Sequence, residues 1–165
     1  MAEASGRRKP LIAALGNALM GDDGAGAAVL EELRRRGLEQ SARLCDVGAA
    51  GVDLLLELEG APALVMVDAM VADDPPGTVR VFEGGEIFAY AQRRGGGSHQ
   101  PSLTGTLRLG RQLGLLPPRI AVVGITARQF AFGAGLSPEV AAAVPEAAAR
   151  AAVLVTDGKS PDWID

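Results

Sequence analysis

Four side chains in this sequence have the types and placement to do chemistry. Asp22 and Asp23 stand side by side in the run Gly16-Asn17-Ala18-Leu19-Met20-Gly21-Asp22-Asp23-Gly24-Ala25-Gly26. Asp68 closes the apolar run Ala63-Leu64-Val65-Met66-Val67, and His99 is the only histidine. Two carboxylates and one imidazole from three separate segments form a donor set for a divalent metal ion, with positions left open for ligands from a partner. Each residue also has a plainer reading. Adjacent acids at a helix start suit the helix dipole, and for Asp22 capping is the expected role. Asp23 is the better ligand, because the Gly24-Ala25-Gly26 that follows leaves the helix start bare. Asp68 fits a cap on the next loop as well as it fits a ligand, since a carboxylate ending an apolar strand is costly unless paired or ligated. His99 lies in Arg93–Ser102, a polar segment containing Gly95-Gly96-Gly97, where packing gives little reason for an imidazole. That segment reads as a mobile surface loop beside a site.

Several other chemistries are disfavoured. The strand–glycine–helix layout of residues 11–36 is that of a nucleotide-binding loop, but its spacing is neither Gly-x-Gly-x-x-Gly nor a Walker sequence. It has no lysine, and two carboxylates stand where phosphate would bind. A cation fits it better. No His-Glu-x-x-His helix and no serine elbow is present. Cys45 is the sole cysteine, which rules out a disulfide within the chain and a cysteine zinc cluster; it reads as a small core residue. Sixteen basic and 20 acidic residues give a net charge of −4, with no cationic block to release counterions from a nucleic acid. No apolar run approaches the length of a membrane span, and Leu11–Leu15 behind Arg7-Arg8-Lys9 is too short for a signal peptide. The expectation is a cytoplasmic, monomeric protein with no nucleic-acid or membrane partner.

The elements that must position these residues follow from periodicity. With 48% hydrophobic and 22% charged residues, the 165-residue chain has the composition and length of one globular domain. Its core is expected at about 10–156, with a polar lead over 1–9 and a tail over 157–165 in which Trp163 could dock. Strands are predicted at Leu11–Leu15, Ala42–Val47, Ala63–Val67, Gly77–Phe82 and Arg119–Ile125. Helices are predicted from about Gly24 to Arg36, over Val52–Leu58, and from Ser137-Pro138-Glu139 onward. In the last of these, Val140, Val144, Ala148, Ala151 and Val155 share a face. Strand–helix alternation implies a three-layer α/β/α sandwich with a mainly parallel central sheet. Ligands in such sheets collect beyond the carboxyl ends of the strands, which is where the first-motif loop and Asp68 should lie.

Taken in order, several pieces resemble the hydrogenase maturation endopeptidase family. They are Gly16 to Gly26 as quoted, Gly48-Ala49-Ala50-Gly51 leading into Leu54-Leu55, and Val67-Asp68-Ala69. Pro76-Gly77-Thr78-Val79, Ser98-His99-Gln100 and Gly135-Leu136-Ser137-Pro138 complete the set. The resemblance spans about Leu11 to Val155. It implies an α/β/α endopeptidase that removes the C-terminal extension of a nickel–iron hydrogenase large-subunit precursor once nickel is installed. It also implies Asp23, Asp68 and His99 as ligands of nickel supplied by that precursor, with Asp23 or Asp68 close to the chemistry. Nickel could polarise the scissile carbonyl or serve only as a recognition tag beside a carboxylate base. The family often has glutamate where this chain has Asp23, one methylene shorter, so the loop must approach the metal more closely. Thr126–Gly135 lacks the acidic and proline residues of many members, a region implied to contact the substrate. The rival functions are a noncatalytic nickel-delivery chaperone using the same ligands, and a small-molecule enzyme on the same fold.

Overall fold

The computed structural model describes residues 8–49, 53–94 and 102–157. Five strands, β1 (Leu11–Ala14), β2 (Arg43–Asp46), β3 (Ala63–Met70), β4 (Val79–Glu83) and β5 (Arg119–Thr126), form one sheet in the order β2-β1-β3-β5-β4. The first four positions are parallel, and β4 joins the edge antiparallel to β5. The helices are α1 (Ala25–Arg35), α2 (Leu54–Glu57), α3 (Glu86–Arg94), α4 (Leu103–Gln112) and α5 (Pro138–Thr156).

β1, β3 and β5 are apolar throughout because they are covered on both faces. On one face, Ile12, Ala14, Val65, Val67, Val123 and Ile125 pack with residues of α1 and α5. On the other, Leu11, Ala13, Leu64, Met66 and Val122 pack with residues of α2, α3 and α4. This is the expected α/β/α sandwich. Val140, Val144, Ala148, Ala151 and Val155 of α5 are all buried, as their spacing predicts. The Ser137 hydroxyl accepts from the Val140 N–H, and Pro138 sits in the first turn.

Three expectations change. Arg93 and Arg94 belong to the last turn of α3 rather than to a loop, and α4 resumes at Leu103. A single 3₁₀ turn, Gly21–Gly24, precedes α1. Asp68 is the sixth residue of an eight-residue β3 rather than its terminus. The reason lies in the neighbours. β5 is equally long and pairs with β3 through Met70↔Thr126, whereas β1 stops at Ala14↔Val67. Asp68 therefore follows directly on the part of β3 that β1 covers. Chain order departs from β1 in opposite directions, to β2 on one side and β3 on the other, so the crevice outside the β1 and β3 carboxyl ends is the topological switch point.

Candidate active site

β1 hands the chain to the first-motif loop at this crevice. Leu15 N–H donates to the Val67 carbonyl (2.9 Å), so the chain still follows β3, and Gly16 N–H then turns to the Gly48 carbonyl (3.2 Å). At φ +104° Gly16 occupies a backbone conformation open to glycine. A Cβ there would lie 2.3 Å from the Asp23 carbonyl oxygen and 2.8 Å from Asp23 Oδ1. The bare Gly16 thus lets the shorter Asp23 fold back against the end of β1. Asp23 is half-buried, and its Oδ2 accepts from the Asn17 N–H at 2.7 Å.

Asp68 comes from the opposite wall. Side chains alternate along β3, so Asp68 shares a face with Leu64, Met66 and Met70, the face covered by α3. It is fully buried. Its Oδ2 accepts from Tyr90 Oη at 2.7 Å and from Arg94 Nε at 2.6 Å, both on α3. No donor among the described residues reaches its Oδ1, which is also buried. Burial pushes the Asp68 carboxyl above its ordinary value, opposed by the Arg94 charge and the two hydrogen bonds. The Asp23 charge acts on Asp68, Tyr90 and Arg94 alike, so the two carboxylates share one electrostatic neighbourhood.

The adjacent Asp22 does something else. It does not cap its own helix, contrary to expectation: neither Gly21–Gly24 nor α1 has a side-chain cap. Its buried carboxylate instead collects the backbone N–H groups of Arg128 (2.8 Å), Gln129 (3.1 Å) and Ser137 (2.6 Å), and the Ser137 hydroxyl (2.9 Å). Burial alone would raise its pKa, but these donors outweigh burial and hold it below the usual range. Asp22 ties the first-motif loop to the segment between β5 and α5. A pairing of Met20 with Phe132 and a Gly133 N–H bond to the Leu19 carbonyl (2.8 Å) reinforce that tie.

Of the three expected ligands, the structure brings Asp23 and Asp68 to the same crevice. His99 lies outside the described residues, as do Gly95-Gly96-Gly97, Ala50-Gly51 and Trp163. Among the described residues no group of three potential metal ligands occurs. The donors fit a divalent ion nonetheless: a buried carboxylate oxygen without a donor is costly, and a cation would satisfy it. Cys45 is half-buried beside the second core face, and burial pushes its thiol up, in keeping with a packing role. Residues that sequence reasoning missed are Tyr90 and Arg94. Their signal was the spacing Ile87, Tyr90, Ala91, Arg94 on one helical face.

In a mainly parallel α/β/α sandwich, ligands bind at the switch point, the crevice that Asp23 and Asp68 border. The chain belongs to the hydrogenase maturation protease family, whose model matches residues 27–153. It is 30% identical over 132 residues to the hydrogenase expression/formation protein HupD of Thiocapsa roseopersicina, covering 79% of this chain and 60% of that one. It thus spans about three-fifths of that relative's length. The solved structure of the hydrogenase maturating endopeptidase HybD from E. coli superposes with a TM-score of 0.78 at 25% identity, covering 93% of this chain and 95% of that one. The [NiFe] hydrogenase maturation protease HybD from Thermococcus kodakarensis gives 0.69 at 31% identity, covering 90% and 99%. No described helix is long and apolar enough to cross a membrane.

Proposed function

We propose that this chain is an endopeptidase that removes the C-terminal extension from a nickel–iron hydrogenase large-subunit precursor after nickel insertion. It would act as a cytoplasmic monomer. Membership of a maturation protease family supports the reaction class. What supports the site is that the Asp23 charge acts on Asp68 at the β1–β3 crevice, with one buried Asp68 oxygen left without a donor among the described residues.

In this reading nickel arrives with the substrate. Asp23, Asp68 and His99 complete its coordination, two oxygens and a nitrogen being suitable donors for a borderline divalent ion. Gripping nickel docks only loaded precursor, so the cut is licensed by metal insertion. Hydrolysis then requires a water, an acceptor for its proton and a donor for the leaving amine. A carboxylate in the crevice takes the water proton as the water oxygen attacks the scissile carbonyl carbon. The same proton is returned to the peptide nitrogen as the C–N bond breaks. Asp23 is half-buried and so open to solvent water, whereas Asp68 is enclosed. Asp23 is the better placed of the two to reach that water, and Asp68 to hold the metal.

The test is to mix the purified chain with nickel-loaded and nickel-free precursor and follow the large subunit's mass. Shortening of the loaded form alone is expected. If neither form shortens, or both shorten equally, the nickel-gated reading is wrong; capture of loaded precursor without a cut would make the chain a carrier instead.

A further inference from the structure

α3 reaches into the crevice with two residues that nothing so far has given a role. Ile87, Tyr90 and Ala91 are buried on its inner face, and Arg94, one turn past Tyr90, continues that face with its side chain 18% exposed. The Tyr90 ring is held in turn by Phe82 of β4, with ring centroids 4.9 Å apart. Arg94 is anchored a second time, Nη1 donating to the Ala49 carbonyl at 3.2 Å in the loop after β2. α3 therefore presents a hydroxyl and a guanidinium that are themselves fixed.

Both aim at one atom. Tyr90 Oη and Arg94 Nε donate to the same Asp68 oxygen, Oδ2, while Oδ1 receives no donor from any described residue. Two donors on one oxygen fix the rotation of a carboxylate about its Cβ–Cγ bond, which is otherwise broad. They also consume the lone pairs of that oxygen, so an incoming cation is left with Oδ1. We propose that Tyr90 and Arg94 are positioning residues that lock the Asp68 carboxylate so that Oδ1 alone faces the metal. Groups that orient a metal ligand in this way typically contribute about 10–100-fold to metal affinity or activity.

This inference rests on the protease reading above, and the experiment separates the two. Tyr90→Phe removes one hydroxyl and keeps the ring. Arg94→Lys keeps the charge but cannot bridge Asp68 and the Ala49 carbonyl together, and Arg94→Ala removes both. Asp68→Asn serves as the reference. Each purified chain is titrated calorimetrically with Ni²⁺ and Cd²⁺ alone, assayed on nickel-loaded precursor for kcat and KM separately, and melted thermally. Expected are ion binding weakened about 10-fold in Tyr90→Phe and up to about 100-fold in Arg94→Ala, with partial rescue in Arg94→Lys. The cleavage defect should fall mainly on KM, because the precursor's nickel is gripped less well. Wild-type ion binding and cleavage in both Tyr90→Phe and Arg94→Lys would overturn the proposal, as would a wild-type chain that binds neither ion at millimolar concentration. If Asp68→Asn is inactive while the α3 variants are normal, only the positioning role fails. If Asp68→Asn cleaves normally, the protease site is misassigned and the positioning role falls with it.

Discussion

Asp22 and Asp68 are both fully buried, yet their surroundings differ in kind. Asp22 has both oxygens satisfied, by three backbone N–H groups and a hydroxyl, and its pKa is held down. Asp68 has one oxygen doubly satisfied, the other without a described donor, and its pKa is pushed up. A buried carboxylate that is fully bonded has no capacity left for a ligand, and its donors make it structural. One that is half bonded keeps an oxygen with capacity for a further ligand, and the proposed site makes use of it. The lesson extends to their neighbours. Asp22 orders the loop that Asp23 stands on, so the structural role and the proposed chemistry fall on adjacent residues of one motif.

The contrast can be broken most sharply by exchanging each carboxylate for its amide. Asp68→Asn should lower cleavage of nickel-loaded precursor by about 10²-fold or more, the scale of losing a group at the reacting centre. Its melting temperature should fall less than that of Asp22→Asn, because the asparagine oxygen still accepts from Tyr90 and Arg94 even though Arg94 loses its counter-charge. Asp22→Asn should do the reverse. An amide NH₂ now faces donors, costing about 2–4 kcal/mol in urea unfolding, while the folded fraction keeps its specific activity. If the two variants exchanged phenotypes, the assignment of roles would be inverted.

Ser137→Ala sharpens the structural half. It removes the α5 cap and one donor to Asp22, and should cost about 1–2 kcal/mol with cleavage retained. The smallest effects are in the pH profile of stability, where the two aspartates have opposite signs. Asp22 is lowered in the folded chain, so its contribution is complete above the unfolded-chain value near pH 4 and is lost as pH falls through the lower folded value. Asp68 is raised, so its contribution is complete below that same value and is lost as pH rises through the higher folded value. Urea midpoints across pH should therefore show a flatter acid limb in Asp22→Asn and a flatter limb above pH 4 in Asp68→Asn.

Much of the framework was legible because its signals are local. The continuous apolar runs of β1, β3 and β5 and the caps and periodicity of α5 each state their own structure. α3 and α4 were not legible. α4 carries Gly105 and Gly110 inside a helix, residues that argue against one. Gly110 is explained only by tertiary packing: a Cβ there would lie 2.8 Å from Leu116 Cδ2 and 3.0 Å from Leu55 Cδ2. The antiparallel sense of β4 is likewise set by its pairing with β5 and not by its own residues. In the proposed site, Asp23 and Asp68 were candidates by type and context. Asp22's partners, at 128, 129 and 137, are more than a hundred residues away, and no spacing rule points to them. Tyr90 and Arg94 were hidden because the helix that aims them was unseen.

In the proposed function a divalent ion is gripped between Asp23 and Asp68, with His99 as the third ligand. Anomalous diffraction at the metal edge, from crystals soaked in Ni²⁺ or Cd²⁺, addresses this without any cleavage step. One peak is predicted at about 2–2.5 Å from Asp68 Oδ1, from an Asp23 carboxylate oxygen and from a His99 ring nitrogen, with Tyr90 and Arg94 still on Oδ2. A peak elsewhere, or His99 turned to another face of the molecule, would contradict it.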